Sequence, residues 1–163
     1  MTETKNLEGH LWGGSGIERV LFDFILNTIP EGSTIVELGS GYCSTKAFSA
    51  FYKTYSVDDN VQYQNLFEGV NYIYANNING WYNRQSIVDN LPEEYSLVFV
   101  DGPSGEGNRN GLLNNLDIFR DDVTFIFHDT YRVPGKNLAI EVANALGKSI
   151  TFYEDGDFWA VVK

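Results

Sequence analysis

Residues 34–44 read Thr34-Ile35-Val36-Glu37-Leu38-Gly39-Ser40-Gly41-Tyr42-Cys43-Ser44, and this stretch decides the fold. A β-branched apolar run leads into an acidic residue, two glycines one apart, and a serine suited to capping a helix. The segment therefore holds a strand, a tight turn and a helix N-terminus. Glycine carries no Cβ, so backbone N–H groups in the turn can approach a ligand closely. The helix start adds unpaired N–H donors. A turn of this kind suits a nucleotide-like cofactor. The dinucleotide fingerprint asks for a third glycine where Ser44 stands. Glu37, just before the first glycine, would repel a pyrophosphate and attract an ammonium. The pattern favours a zwitterionic adenosine cofactor over a nicotinamide dinucleotide.

Working outward, strands and helices alternate. Ser15 and Glu18 have the spacing of a capping box. Ile17, Val20, Leu21, Phe24, Ile25 and Ile29 then follow one buried helical face, and Pro30 and Gly32 end it. Short apolar runs at 35–38, 54–57, 72–74, 97–100 and 124–127 read as strands. Helical patterns lie at 44–52, 112–119 and 138–146, with a weakly marked one at 63–67. Runs at 150–153 and 158–162 flank Glu154-Asp155-Gly156-Asp157 and read as a terminal hairpin. Continuous apolar strands alternating with amphipathic helices predict an α/β fold. It is a Rossmann-like three-layer sandwich, with a mostly parallel seven-stranded sheet that ends in an antiparallel hairpin.

Composition narrows the function classes. A chain of 163 residues, 43% hydrophobic and 15% aromatic, makes one domain with a real core. Residues 17–163 form that domain. Residues 1–16, polar and glycine-rich, are expected to be a flexible segment or lid and show no signal-peptide pattern. Eleven Lys and Arg against 22 Asp and Glu give a net charge of −11. So acidic a chain argues against nucleic acid and against anionic membranes as partners. No apolar run approaches the ~20 residues of a membrane span. A single cysteine, Cys43, fits a reducing cytoplasm. Oligomeric state is not legible.

Ligands of parallel sheets bind beyond the carboxyl ends of the strands. Four predicted strands end there in polar groups: Glu37 with its glycines, Asp58, Asp101, and His128 with Asp129. Their convergence on one sheet edge is the main functional signal in the sequence.

Glu37-Leu38-Gly39-Ser40-Gly41 resembles the first motif of class I S-adenosylmethionine-dependent methyltransferases, and the resemblance extends over residues 17–163. It implies that Glu37, Gly39 and Gly41 hold the methionine part of S-adenosylmethionine. It implies that Asp58 binds the ribose, with Asp59 as the alternative, and that Asn76 or Asn77 contacts adenine. Asp101-Gly102-Pro103, with Arg109 downstream, and Phe127-His128-Asp129-Thr130 resemble the small-molecule and sugar O-methyltransferase branch. Some members of that branch bind a divalent metal. By that resemblance Asp101 and Asp129 would ligate magnesium, although Thr130 replaces the usual second carboxylate or amide. His128, or Asp101, would serve as general base. The implied activity is methyl transfer to an oxygen of a saccharide or small-molecule acceptor.

Plainer roles stand beside these. Asp58 can be a loop acid, Asp101 part of a turn, His128 a packed ring, Asp129 a helix cap and Cys43 a small turn residue. Two other function classes stand as well: a non-catalytic methyltransferase-like binding module, and an NAD-dependent reductase.

Overall fold

The computed structural model describes residues 7–14, 16–105 and 108–163. Its centre is a seven-stranded sheet in the order β3-β2-β1-β6-β7-β9-β8. The strands are β1 (Thr34–Leu38), β2 (Lys53–Asp58), β3 (Asn71–Tyr74), β6 (Leu97–Val100), β7 (Thr124–His128), β8 (Ile150–Tyr153) and β9 (Trp159–Val162). β3, β2, β1, β6 and β7 run parallel, and β9 enters antiparallel against β7 and β8. The expected Rossmann-like sandwich with its closing hairpin is the fold observed.

Side-chain alternation explains both layers. Ile35, Leu97 and Phe99 face one way and pack on Leu21, Phe22 and Ile25 of α1 (Arg19–Thr28) and on Ala47 and Phe48 of α2 (Ser44–Phe51). Val36, Leu38, Val98 and Val100 face the other way. They meet Ile87 of α3 (Arg84–Val88), Leu112, and Leu138 and Val142 of α4 (Val133–Leu146). Because both faces are covered, β6 and β9 are buried at every position.

Several boundaries differ from the sequence reading. The first helix starts at Arg19 without a side-chain cap, and Ser15 lies outside the described residues. The Glu18 N–H instead donates to Asp157 Oδ2 at 3.1 Å. Residues 63–67 are not a helix. A 3-10 turn covers Val61–Tyr63, and Asn65 (φ 61°) and Gly69 (φ 77°) then bend the chain out of helical geometry. The segment Asn108–Ile118 is 3-10 helical. α4 begins at Val133 because Pro134 fits a first helical turn, where no N–H is needed. A small hairpin, β4 (Asn77–Ile78) and β5 (Trp81–Tyr82), turns at Asn79 and Gly80, both with positive φ. Residues 1–6 of the expected N-terminal segment are outside the described residues. In the described part Trp12 packs against Phe22, with ring centroids 5.1 Å apart. No helix among the described residues is long and apolar enough to cross a membrane.

The strand order reverses between β1 and β6, which opens a crevice at their carboxyl ends. Gly39 and Asp101 lie on its two sides. Gly39 has φ 103°, and a Cβ there would lie 2.8 Å from the Asp101 carbonyl. Both facts exclude a side chain. Gly39→Ala should therefore cost more than about 1 kcal/mol of stability, read as a lowered urea midpoint with an unchanged slope. Wild-type stability in that variant would show that the two strand ends are less tightly joined than described.

Candidate functional site

Glu37 is fully buried, and its carboxylate is the hub of the glycine turn. Ser44 Oγ donates to Oε1 in a short hydrogen bond. Thr45 Oγ1 and Ser56 Oγ both donate to Oε2 at 2.6 Å. The hydroxyls then pass the constraint on. Thr45 Oγ1 accepts from the Gly41 N–H at 2.9 Å. Ser56, its proton given to Glu37, accepts from Ser40 Oγ at 2.6 Å. Burial pushes the Glu37 carboxyl up to about 7, against the pull of its three hydroxyl donors and with a push from the Asp101 charge. Ser44 is thus the first residue of α2 and a ligand of Glu37. Cys43 holds the cap position without capping through its side chain, and its thiol donates to the Ile17 carbonyl at 3.5 Å instead. Glu37 reaches no solvent from this position, and what it holds is the loop itself.

Asp58 ends β2, as expected. Its Oδ2 accepts from the Ser40 N–H at 2.9 Å and its Oδ1 from the Asn60 N–H at 2.7 Å. Burial raises its pKa, partly offset by those N–H donors. A carboxylate oxygen has room for a second donor, so the group can still receive ribose hydroxyls. Asp59 accepts instead from Asn77 Nδ2 at 3.0 Å. Gly41 is the open position of the turn, since a Cβ there would meet nothing within 4 Å. Asn76 is exposed just past β3, and its side-chain oxygen accepts from Asn83 at 3.3 Å. An unobstructed glycine and an acid at the neighbouring strand end thus stand side by side at the crevice.

Across the crevice the structure brings Asp101, His128 and Asp129 together. One ligand atom from each lies within 4.8 Å of the others. Two more residues complete the cluster. Arg109 Nη2 donates to Asp101 Oδ1 at 3.0 Å and to Asp129 Oδ2 at 3.3 Å, and Nη1 donates to the His128 carbonyl at 3.2 Å. His128 Nδ1 bonds Asp101 Oδ1 at 3.1 Å, and Nε2 bonds Asp157 at 3.1 Å. Burial alone would lower the His128 pKa. The bonds to Asp101 and Asp157, and the charges of Asp101 and Asp129, override it and raise it to about 10. The Asp157 carboxyl stays below its usual range: burial pushes it up, but the bond to His128 and the charge of the ring outweigh that. A cationic ring donates from both nitrogens, and Asp101 and Asp157 are placed to accept from one each. Asp129 has φ 61°, an uncommon conformation that Asp tolerates better than most residues. It is the most exposed of the three acids, at 23% of its side chain against 15% for Asp101 and 10% for Asp157. It lines a small cavity of about 50 Å³ with Arg109, Asn110, Arg132, Gly105 and Gly135.

Asp157 escaped the sequence reading. It sits in the turn between β8 and β9, where acids are ordinary, and nothing in its spacing points to His128. Ser40, Thr45 and Ser56 escaped it too. The alternation of β2 did offer a signal, because Thr54, Ser56 and Asp58 share one strand face and all three polar residues are buried.

No protein-family model matches the sequence, and no curated protein matches it. Solved structures do resemble the fold. One is the precorrin 8w decarboxylase of Methanobacterium thermoautotrophicum, at 14% identity over 95% of this chain and 96% of that one, with a TM-score of 0.65. Another is the C-terminal domain of precorrin-6Y C5,15-methyltransferase from Rhodobacter capsulatus, at 9% identity over 95% and 92%, TM-score 0.60. A third is a Podospora anserina methyltransferase with SAH bound, at 12% identity over 88% and 76%, TM-score 0.54. At such identities the likeness is one of fold, and the fold is that of class I methyltransferases.

Two buried groups with large shifts contribute strongly to the pH response of stability. The Glu37 carboxyl is raised from 4.5 to about 7 on folding. The folded state thus holds a proton that the unfolded chain has lost, so stability falls as pH rises from 4.5 through about 7. The full effect is on the order of 3 kcal/mol. His128 is raised from 6.5 to about 10, so its contribution is full below 6.5 and is lost as pH rises through about 10. Urea unfolding across this range should show Glu37→Gln flattening the lower window and His128→Gln the upper one. Parallel curves for wild type and both variants would contradict these assignments.

Proposed function

We propose that the chain binds S-adenosylmethionine and transfers its methyl group to an oxygen of a small-molecule or saccharide acceptor. The observation that carries this reading is the junction of two strand ends. The open glycine turn after β1 abuts the Asp101 backbone after β6, and Asp58 flanks it from β2. In this reading Gly39, Ser40 and Gly41 bring backbone close to the methionine part and Asp58 accepts from the ribose. Asn76, exposed beyond β3, takes the adenine side. Glu37 acts at one remove, by fixing the turn.

The cofactor supplies an electrophilic methyl on a sulfonium. The protein has to align the acceptor oxygen with it and remove one proton. The methyl would pass from the sulfonium to the acceptor oxygen, leaving the thioether, and the hydroxyl proton would go to a carboxylate. Asp129 is suited to accept it, being the acid that lines the small cavity. Asp101 and His128 position Asp129 through the shared network, and Asp157 positions His128. The acidic surface, at net charge −11, favours an acceptor without a phosphate backbone.

Titration calorimetry with S-adenosylhomocysteine tests the reading. Wild type should bind with one-to-one stoichiometry. Gly41→Val should lose binding while keeping its melting temperature, because the added carbons enter open space. Asp58→Ala should weaken binding by about 1.5–3 kcal/mol, as for a hydrogen bond to a charged group, and Asp59→Ala by much less. Tight binding by Gly41→Val would reduce the turn to a structural role. A larger loss for Asp59→Ala than for Asp58→Ala would move the ribose site.

A further inference from the structure

The resemblance on which Asp101 and Asp129 were expected to hold magnesium makes a testable demand on the donor set. A hard divalent cation needs six or more oxygen ligands and tolerates few nitrogen donors. The space between these two carboxylates is already taken. Arg109 Nη2 lies 3.0 Å from Asp101 Oδ1 and 3.3 Å from Asp129 Oδ2, so one nitrogen bridges the pair as an ion would. Its second nitrogen is held by the His128 carbonyl at 3.2 Å, which fixes the guanidinium plane. The imidazole offers nothing further. Nδ1 is engaged by Asp101 and Nε2 by Asp157. The residues present do not fit a divalent metal while Arg109 stands there.

We propose that Arg109 is the built-in cation of the acidic cleft: its guanidinium takes the place of a metal ion between Asp101 and Asp129, and its remaining N–H donors receive the acceptor oxygen. Guanidinium carries five N–H donors, and among the described residues three bonds from Arg109 are seen. It also lines the small cavity with Asp129, so a donor and a proton acceptor share one wall. A guanidinium suits this duty because it stays charged at any working pH and makes fixed, planar bonds to carboxylates. An oxygen in the cavity would lie against Arg109 and beside Asp129, so it would be held as it loses its proton. The acceptor half of this inference rests on the methyl-transfer reading above, and the metal half stands without it.

Manganese, used as the probe because its free and bound forms differ in paramagnetic resonance, separates the two. The full chain titrated to about 1 mM Mn²⁺ should show no stoichiometric site, whereas a built carboxylate site would be filled there. Arg109→Met removes the cation that bridges the two carboxylates and leaves them only the His128 ring as counter-charge, so their mutual repulsion grows. That variant should gain a site at least about tenfold tighter than wild type, and Arg109→Lys should gain none. A stoichiometric wild-type Mn²⁺ site that Asp129→Asn abolishes overturns the proposal whether or not Arg109→Met folds. So does an Arg109→Met protein of native circular dichroism that binds no more Mn²⁺ than wild type. S-adenosylhomocysteine affinity is measured on the same samples. Loss of cofactor binding by wild type would sink the methyl-transfer reading and leave the metal result standing. Unchanged cofactor affinity in Arg109→Met, with transfer to the acceptor lost, is the result expected for the acceptor half. Undiminished transfer by Arg109→Met overturns that half.

Discussion

A carboxylate buried without water must find donors, and Glu37 finds three hydroxyls. That requirement organises the top of the sheet. Ser44 and Thr45 belong to the first turn of α2, and Ser56 to the neighbouring strand β2. One acid thus ties β1 to the strand beside it and to the helix that follows it. Through Thr45 and Ser56 it also holds Gly41 and Ser40. The turn is ordered from beneath by side-chain bonds, and at Gly41 its outer side is open, since a Cβ there would meet nothing within 4 Å.

A second network joins the far half of the sheet to the chain's N-terminal helix. His128 lies between Asp101 and Asp157, and Asp157 also accepts the Glu18 N–H at the start of α1. Residues far apart in sequence therefore report on one another. The two networks meet where Gly39 touches the Asp101 backbone. Three carboxylates face two cations in this second cluster, so charge is nearly balanced inside a strongly acidic protein.

The architecture was legible because its signals are local. Apolar runs such as Leu97–Val100 and turn glycines mark parallel strands directly, and Gly147 ends α4 in the left-handed conformation expected of a cap. Asp58 at the end of β2 and Asp101 after β6 were legible for the same reason. The roles inside the site were less so, because they depend on contacts across sequence. Glu37 reads as a ligand group by motif, but packing turns it inward. His128 reads as a base by its place after β7, and only the fold shows the two acids from distant turns that flank its ring and raise its pKa. Arg109 was visible only as a residue downstream of Asp101-Gly102-Pro103, and the fold shows which carboxylates it bridges. The Asn79-Gly80 turn is a strong hairpin signal whose strands, two residues each, are too short to show alternation.

The central claim is that one crevice, between the ends of β1 and β6, holds an adenosine cofactor with its reactive end toward the acidic cluster. A crystal structure of the chain with S-adenosylhomocysteine tests this directly. The account predicts ribose hydroxyls on Asp58, the amino-acid end over Gly41, and the sulfur facing the side of Asp101, Asp129 and Arg109. A cofactor bound elsewhere, or bound here with its sulfur turned away from that cluster, would contradict it.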